Sequence, residues 1–245
     1  MKSLKFKKFP PASYPVNESF NTLSTNLSFA GKDLKKIMLT SSHASEGKSF
    51  TSMNLMRKLA ERGNRVILVD ADLRRSVINS TYGVQFEEKD GKAYGLSHYL
   101  AGIAELDDVL YQTDIEGAMM VPVGREVLSP IPLIVSGRFQ ELLDKLADKA
   151  DYIIVDASPV GVVIDSAEIA KYCDGILLVV NYNEVHRQEL LDAKEQLEQT
   201  GCPILGTVLN QVDYDNYTGK KYYYKSYYSH YSHYYKKSDD GKKKD

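Results

Sequence analysis

Cysteine is scarce in this chain of 245 residues: Cys173 and Cys202 stand alone. Two isolated thiols do not make a zinc site, and both are expected to stay reduced as core or near-surface fillers. Long apolar runs are missing too. The longest, Ile176 to Val180, falls far short of the roughly 20 residues that a bilayer span needs. The opening MKSLKFKKFPP is basic, with scattered Leu and Phe but no continuous apolar stretch. That excludes a secretory signal and predicts a cytoplasmic chain with a solvated N-terminus. A formal net charge of −2 lacks the positive excess of a general nucleic-acid binder, so no nucleic-acid partner is expected. No internal repeat is found. What remains is a hydrophobic content of 43%, enough for the core of one large α/β domain with appendages.

The most informative segment is Ile37 to Phe50, IMLTSSHASEGKSF. A short apolar strand runs into a loop of small residues ending Glu46-Gly47-Lys48-Ser49, directly before a helical pattern. This is the layout of a phosphate-cradling loop, whose backbone N–H groups and lysine hold nucleotide phosphates while a hydroxyl serves Mg²⁺. Ser42 stands where the G-x-x-x-x-G-K-[ST] pattern has its first glycine, and an ordinary strand–turn–helix is the competing reading.

Two further strand ends carry carboxylates. Val66-Ile67-Leu68-Val69 leads into Asp70-Ala71-Asp72-Leu73-Arg74, and Tyr152-Ile153-Ile154-Val155 into Asp156-Ala157-Ser158-Pro159. Continuous apolar runs alternating with helical patterns predict parallel strands covered on both faces, an α/β fold with a mainly parallel sheet flanked by helices. Groups just past the carboxyl ends of such strands share one crevice, where ligands bind. Ser49, Asp70, Asp72 and Asp156 can there supply oxygens to a hard cation, directly or through water. Taken singly, Asp70 or Asp156 could instead cap the next helix.

Along the chain, Val16, Phe20, Leu23, Leu27 and Ala30 recur at helical spacing, with Asn17 as the expected N-cap and Gly31 as the stop. Helices are expected over 49–62, 137–150, 165–172 and 184–199, and strands over 37–40, 66–69, 152–155, 176–180 and 204–209. Short strands are expected near Val109–Tyr111 and Met119–Val123. The organisation expected is an N-terminal segment with an amphipathic helix (1–31), a nucleotide-binding domain (32–212) and a tail (213–245). The tail holds ten of the 18 tyrosines, eight lysines against five aspartates, and no aliphatic residue. Tyrosine alone does not offset the entropy of ordering such a segment, so disorder is expected. A sticky low-complexity tail, a stacking arm and a set of acceptor hydroxyls are the competing uses. His230 and His233 are expected to be solvated, not a metal pair.

With these residues in place, the chain resembles the bacterial tyrosine kinases (BY-kinases) of capsule and exopolysaccharide operons, especially the free-standing cytoplasmic kind of Gram-positive bacteria. The likeness runs from about Asn17 to the tyrosine cluster. Lys48-Ser49 match the family's Walker A motif, Ile67 to Arg74 its Walker A′, and Ile153 to Asp156 with Pro159 its Walker B. The A′ motif together with a terminal tyrosine cluster separates this family from MinD and ParA ATPases, which share the fold.

The resemblance implies a P-loop NTPase fold of the MinD/ParA kind, ATP and Mg²⁺ as cofactors, and phosphorylation of C-terminal tyrosines in trans. It implies catalytic roles for Lys48, Asp70, Asp72 and Arg74, with Asp70 or Asp72 as the base. Nucleotide contacts are implied for Ser45, Glu46, Gly47, Lys48, Ser49, Phe50 and Asp156, and metal contacts for Ser49, Asp70, Asp72 and Asp156. The implied acceptors are Tyr222, Tyr223, Tyr224, Tyr227, Tyr228, Tyr231, Tyr234 and Tyr235. Implied partners are a membrane-bound adaptor of the polysaccharide co-polymerase type, which recruits the kinase to the inner face of the membrane, and a cognate tyrosine phosphatase. Self-association through the N-terminal helix is implied as well. Two departures stand out: Ala44-Ser45 and Phe50 replace Pro-Gly and Thr of the usual loop, and Asn21 and Ser24 stand where the helix has arginines. The first encourages the alternative of a nucleotide-binding scaffold with little or no kinase activity; a ParA/MinD-like ATPase is a third reading, which the tyrosine tail disfavours. The second removes bidentate ion pairs from a subunit contact and predicts a weaker assembly.

Overall fold

The computed structural model of the chain describes residues 2–31, 33–87, 93–182 and 184–212. The tyrosine-rich segment 213–245, with its expected disorder and its acceptor hydroxyls, lies outside them. Two units are distinguished, Met1–Asn210 and Gln211–Asp245, and all that follows concerns the first.

Among the described residues nine strands form one sheet: β1 (Lys2–Phe6), β2 (Lys36–Ser41), β3 (Val66–Asp70), β4 (Val84–Phe86), β5 (Tyr111–Gln112), β6 (Ala118–Val121), β7 (Tyr152–Asp156), β8 (Gly175–Asn181) and β9 (Ile204–Asn210). Their spatial order is β4-β1-β5-β6-β3-β7-β2-β8-β9. From β6 to β9 every neighbouring pair is parallel, as the apolar runs predict. The β5–β6 and β1–β4 pairs are antiparallel. Side chains alternate between faces along a strand, and here both faces are covered. Ile37, Leu39, Leu68, Ile154, Leu177 and Val179 join one core with Met53, Met56 and Leu59 of α2 (Lys48–Glu61) and Phe20 and Leu27 of α1 (Tyr14–Phe29). Met38, Ile67, Val69, Ile153, Val155, Ile176 and Leu178 join the other, with Phe139, Leu142, Leu143 and Leu146 of α7 (Arg138–Ala147) and Leu197 of α9 (Arg187–Glu198). The remaining helices are the short α3 (Ile78–Tyr82), α4 (Leu96–Leu100), α5 (Leu106–Val109), α6 (Ile131–Ile134) and α8 (Asp165–Ala170).

Three local expectations are corrected. The N-terminus is not a solvated end: β1 pairs with β4 and β5, Leu4 is fully buried, and Phe6 packs with Phe9 on Tyr82. Helix α1 starts at Tyr14 and not beyond Asn17. Pro15 fits the first turn, where an N–H has no acceptor anyway, and the Asn17 amide donates back to the Ala12 carbonyl at 2.9 Å. The strand expected at Val109–Tyr111 is Tyr111–Gln112, because Val109 closes α5. Leu4→Ala should cost about 2–4 kcal/mol of unfolding free energy, the usual loss for a buried leucine. Urea denaturation reads it, and a change below about 0.5 kcal/mol would contradict the place of β1 in the core.

Candidate active site

Three adjacent strands, β3, β7 and β2, bring the sequence-derived residues to one edge of the sheet. Asp70 and Asp156 end β3 and β7 and are paired in register. The loop after β2 runs into α2, whose N-cap Gly47 adopts φ 90° and whose first two residues are Lys48 and Ser49. The N–H groups of a helix's first turn have no intrahelical acceptor, so such an end receives anions. No acidic side chain occupies this one, and the buried Lys48 does. Ser49 Oγ donates to Asp156 Oδ2 at 2.6 Å, and Ser52 Oγ, one turn on, to Asp156 Oδ1 at 2.9 Å.

Asp70 is fully buried. Ser76 Oγ donates to its Oδ2 at 2.5 Å, while its Oδ1 is buried without a hydrogen-bond partner. Burial, then the charge of Asp156, raises the Asp70 carboxyl well above the usual carboxylate range, and the Ser76 bond opposes the rise only in part. Asp156 is raised by burial too, opposed by the Lys48 ammonium and the two serine hydroxyls. Asp72 is 9% exposed, with Oδ1 accepting the Arg75 N–H at 3.1 Å. Lys48, Ser49, Asp70, Asp72 and Asp156 therefore lie near one another where β3 and β7 end and α2 begins.

Other expected contacts are turned elsewhere. The Glu46 side chain is 3% exposed and accepts the N–H groups of His43 (2.6 Å) and Asn181 (3.2 Å), which ties the loop to β8. The Phe50 ring packs 6.1 Å from that of Phe20 on α1. Arg74 forms a bidentate pair with Asp165 at 2.5 and 3.0 Å. Ser45, in the place of the family's loop glycine, holds a left-handed φ of 67°, a conformation that costs a residue with a Cβ about 1 kcal/mol or more.

Residues not singled out in the sequence complete the site. Ser52 was legible, lying three positions after Ser49 on one helix face. Ser76, Asp165, Asn181 and Asn210 were not, since only the tertiary fold brings them in. The Asn210 amide donates to the Glu46 carbonyl at 3.0 Å, and a Cβ on Gly47 would lie 1.9 Å from that amide nitrogen. Gly47→Ala should thus combine left-handed strain with loss of this bond, about 2–3 kcal/mol in all. Thermal unfolding with and without Mg-ADP checks it: the variant should melt lower and gain nothing from nucleotide.

Among the described residues no group of three or more His, Cys, Asp or Glu side chains could hold a metal by itself. Ser49, Asp70, Asp72 and Asp156 do not form a closed cage. That suits Mg²⁺, which keeps several waters and takes one or two protein oxygens plus phosphates. Asp70 Oδ1 is buried with no hydrogen-bond partner among the described residues, which suits an oxygen ligand to a cation, and the donor set is all oxygen. The residues fit the ion.

A family model described as an AAA domain matches residues 34–188. Tyrosine-protein kinase CpsD of Streptococcus agalactiae is 39% identical over 214 residues, spanning 84% of this chain and 91% of that protein. Among solved structures, the kinase domain of Escherichia coli tyrosine kinase ETK superposes with a TM-score of 0.74 at 31% identity, over 80% of this chain and 75% of that one. The septum site-determining protein MinD of Pyrococcus horikoshii, solved with Mg-ADP, superposes with a TM-score of 0.62 at 25% identity, over 74% and 71%. The fold is the P-loop NTPase fold of MinD, and the kinases lie nearer than the positioning ATPase. Identity of this extent, with the Walker residues gathered at one sheet edge, makes the chain a member of the bacterial tyrosine-protein kinase family.

Proposed function

We propose that the chain is an ATP-dependent tyrosine autokinase that phosphorylates the tail tyrosines of neighbouring copies. The observation that carries the reading is the cluster itself: an ammonium, a hydroxyl and buried carboxylates around a helix N-terminus. Lys48 and the N–H groups opening α2 hold phosphate oxygens. Ser49, oriented by Asp156, and Asp72 are the oxygens that hold Mg²⁺, directly or through water. When bound, the ion neutralises charge on the β- and γ-phosphates and keeps them aligned for displacement.

In the transfer, a tyrosine oxygen forms a bond to the γ-phosphorus as the bond from that phosphorus to the β,γ-bridging oxygen breaks, and ADP leaves. The tyrosine proton goes to a carboxylate. A tyrosine hydroxyl with pKa near 10 is almost wholly protonated at neutral pH, so a base in reach contributes about 10²–10⁴-fold. Asp70 is our choice, because burial and Asp156 raise its proton affinity, with the Ser76 hydroxyl and the Asp72 N–H opposing the rise only in part.

The acceptors are Tyr222, Tyr223, Tyr224, Tyr227, Tyr228, Tyr231, Tyr234 and Tyr235. Among the described residues no helix is long and apolar enough to cross a membrane. Recruitment through a membrane-bound adaptor in capsule or exopolysaccharide synthesis, self-association through α1 and reversal by a phosphatase belong to the same reading, supported by the family. The test is incubation with Mg-ATP, with and without the adaptor's cytoplasmic segment, followed by phosphotyrosine mapping. Label confined to the tail supports the reading. A pure scaffold would give no label, and a positioning ATPase would release phosphate without labelling tyrosine.

A further inference from the structure

We propose that Asp165 is a positioning residue for phosphoryl transfer, acting through Arg74 to hold the loop that carries Asp70 and Asp72; this rests on the kinase reading above. Arg74 Nε donates to Asp165 Oδ2 at 2.5 Å and Nη2 to Oδ1 at 3.0 Å, while Nη1 donates to the Leu128 carbonyl at 2.7 Å. The Asp165 side chain is 3% exposed and that of Arg74 34%. Three loops meet at this one guanidinium: the segment after β3, the segment after β6 that holds Leu128, and the segment after β7 that leads into α8. Each follows the carboxyl end of its strand. A second tie joins the first two, since the Val127 N–H donates to the Leu73 carbonyl at 2.7 Å.

The loop after β3 is short and its bonds are consecutive. Ser76 holds Asp70, the Arg75 N–H holds Asp72, and Arg74 between them is anchored outward. Backbone drift at Arg74 would therefore displace both carboxylates. A planar guanidinium fork already engaged by a carboxylate and a carbonyl is committed through three of its five N–H donors. Its geometry suits it to fix distances within the site and not to follow a moving phosphate. Asp165, beyond the Walker segments and in hydrogen-bond contact with none of the five site residues, gains its role through this fork. Displacements of about 1 Å at a reacting group can cost on the order of 10²-fold in rate.

The test compares the full chain with Asp165→Asn, Arg74→Gln and the double variant. Single-turnover labelling of tail tyrosines gives the rate, and a fluorescent ADP analogue with Mg²⁺ gives nucleotide affinity. Circular dichroism melts identify the folded fraction. Expected is a rate about 10- to 100-fold lower in each single variant, with nucleotide affinity within about threefold of the parent, and a double variant no slower than the singles. Asp165→Glu, which keeps the carboxylate, should recover part of the rate. A rate within about twofold of the parent, a parallel fall of rate and nucleotide affinity, or additive losses in the double variant would overturn the proposal. Should Asp165→Asn fail to fold, Arg74→Gln and Asp165→Glu decide by the same criteria. A parent chain that labels no tyrosine would defeat the kinase reading, whereas a labelling parent matched by Asp165→Asn would defeat only the strut.

Discussion

Lys48→Met should reduce tail-tyrosine labelling by about 10²–10³-fold or more while leaving the fold intact. The rate loss is what removal of one preorganised electrostatic donor costs in a site of low dielectric. Lys48 is 7% exposed, and no hydrogen-bond acceptor is found for its ammonium among the described residues. In the nucleotide-free protein that charge serves no hydrogen bond of the fold, although it does lower the Asp156 carboxyl from where burial would leave it. Methionine is close to lysine in length and leaves little void. The melting temperature should therefore stay within a few degrees of the parent, while affinity for Mg-ATP falls with the rate. A variant that lost activity only in proportion to lost folded protein would show Lys48 to be structural.

Asp70→Asn should produce opposite effects on activity and stability. Activity should fall by about 10²–10⁴-fold through loss of the base. Stability of the nucleotide-free chain should rise, because Asp70 is buried beside Asp156 and its carboxyl is raised far above the usual range. The sign follows from linkage. A group with a raised folded pKa stabilises fully below its unfolded value, near 4, and that contribution is lost as pH climbs through the folded value. The side chain is therefore more costly at about pH 8 than at about pH 4, where its raised proton affinity keeps it neutral.

Asparagine removes the cost where it is largest, so the gain should be several degrees at about pH 8 and should shrink towards pH 4. About 1 kcal/mol corresponds to 2–4 °C for a domain of 150–250 residues. Equal melting at both pH values, or a lower melting temperature at pH 8, would contradict the burial-driven shift. The same measurement with Mg-ADP should narrow the difference, as the ion favours the ionised parent.

The parts legible in the sequence share a physical cause. Strands β3 and β7 are continuous apolar runs because both faces are covered, and each ends on an aspartate that is buried as well. Helix α7 was legible from Phe139, Leu142, Leu143 and Leu146, whose spacing fits a single buried face. The strand, turn and helix around Gly47-Lys48-Ser49 were legible because a short apolar run, a loop of small residues and a helical pattern follow one another there.

Elements that depend on distant partners were not legible. Strand β1 is five residues long, with Leu4 and Phe6 inward and Lys5 exposed. Its partners lie far along the chain, Lys2 opposite Tyr111 and Leu4 opposite Phe86. No local feature of KSLKF specifies either pairing. Likewise, Arg74 reads equally as a surface residue or a charge-steadying one until Asp165 arrives from a separate helix. Side-chain commitments such as Glu46 to the Asn181 amide have no sequence signature at all.

The central claim is that Lys48, Ser49, Asp70, Asp72 and Asp156 surround one magnesium nucleotide. A crystal structure of the full chain grown with Mg-ADP tests it most directly. Expected is the terminal phosphate against Lys48 Nζ and the N–H groups opening α2, with the ion on the Ser49 hydroxyl and the carboxylates around it. A nucleotide seated elsewhere on the chain, or an ion touched by none of these residues or their waters, would contradict it.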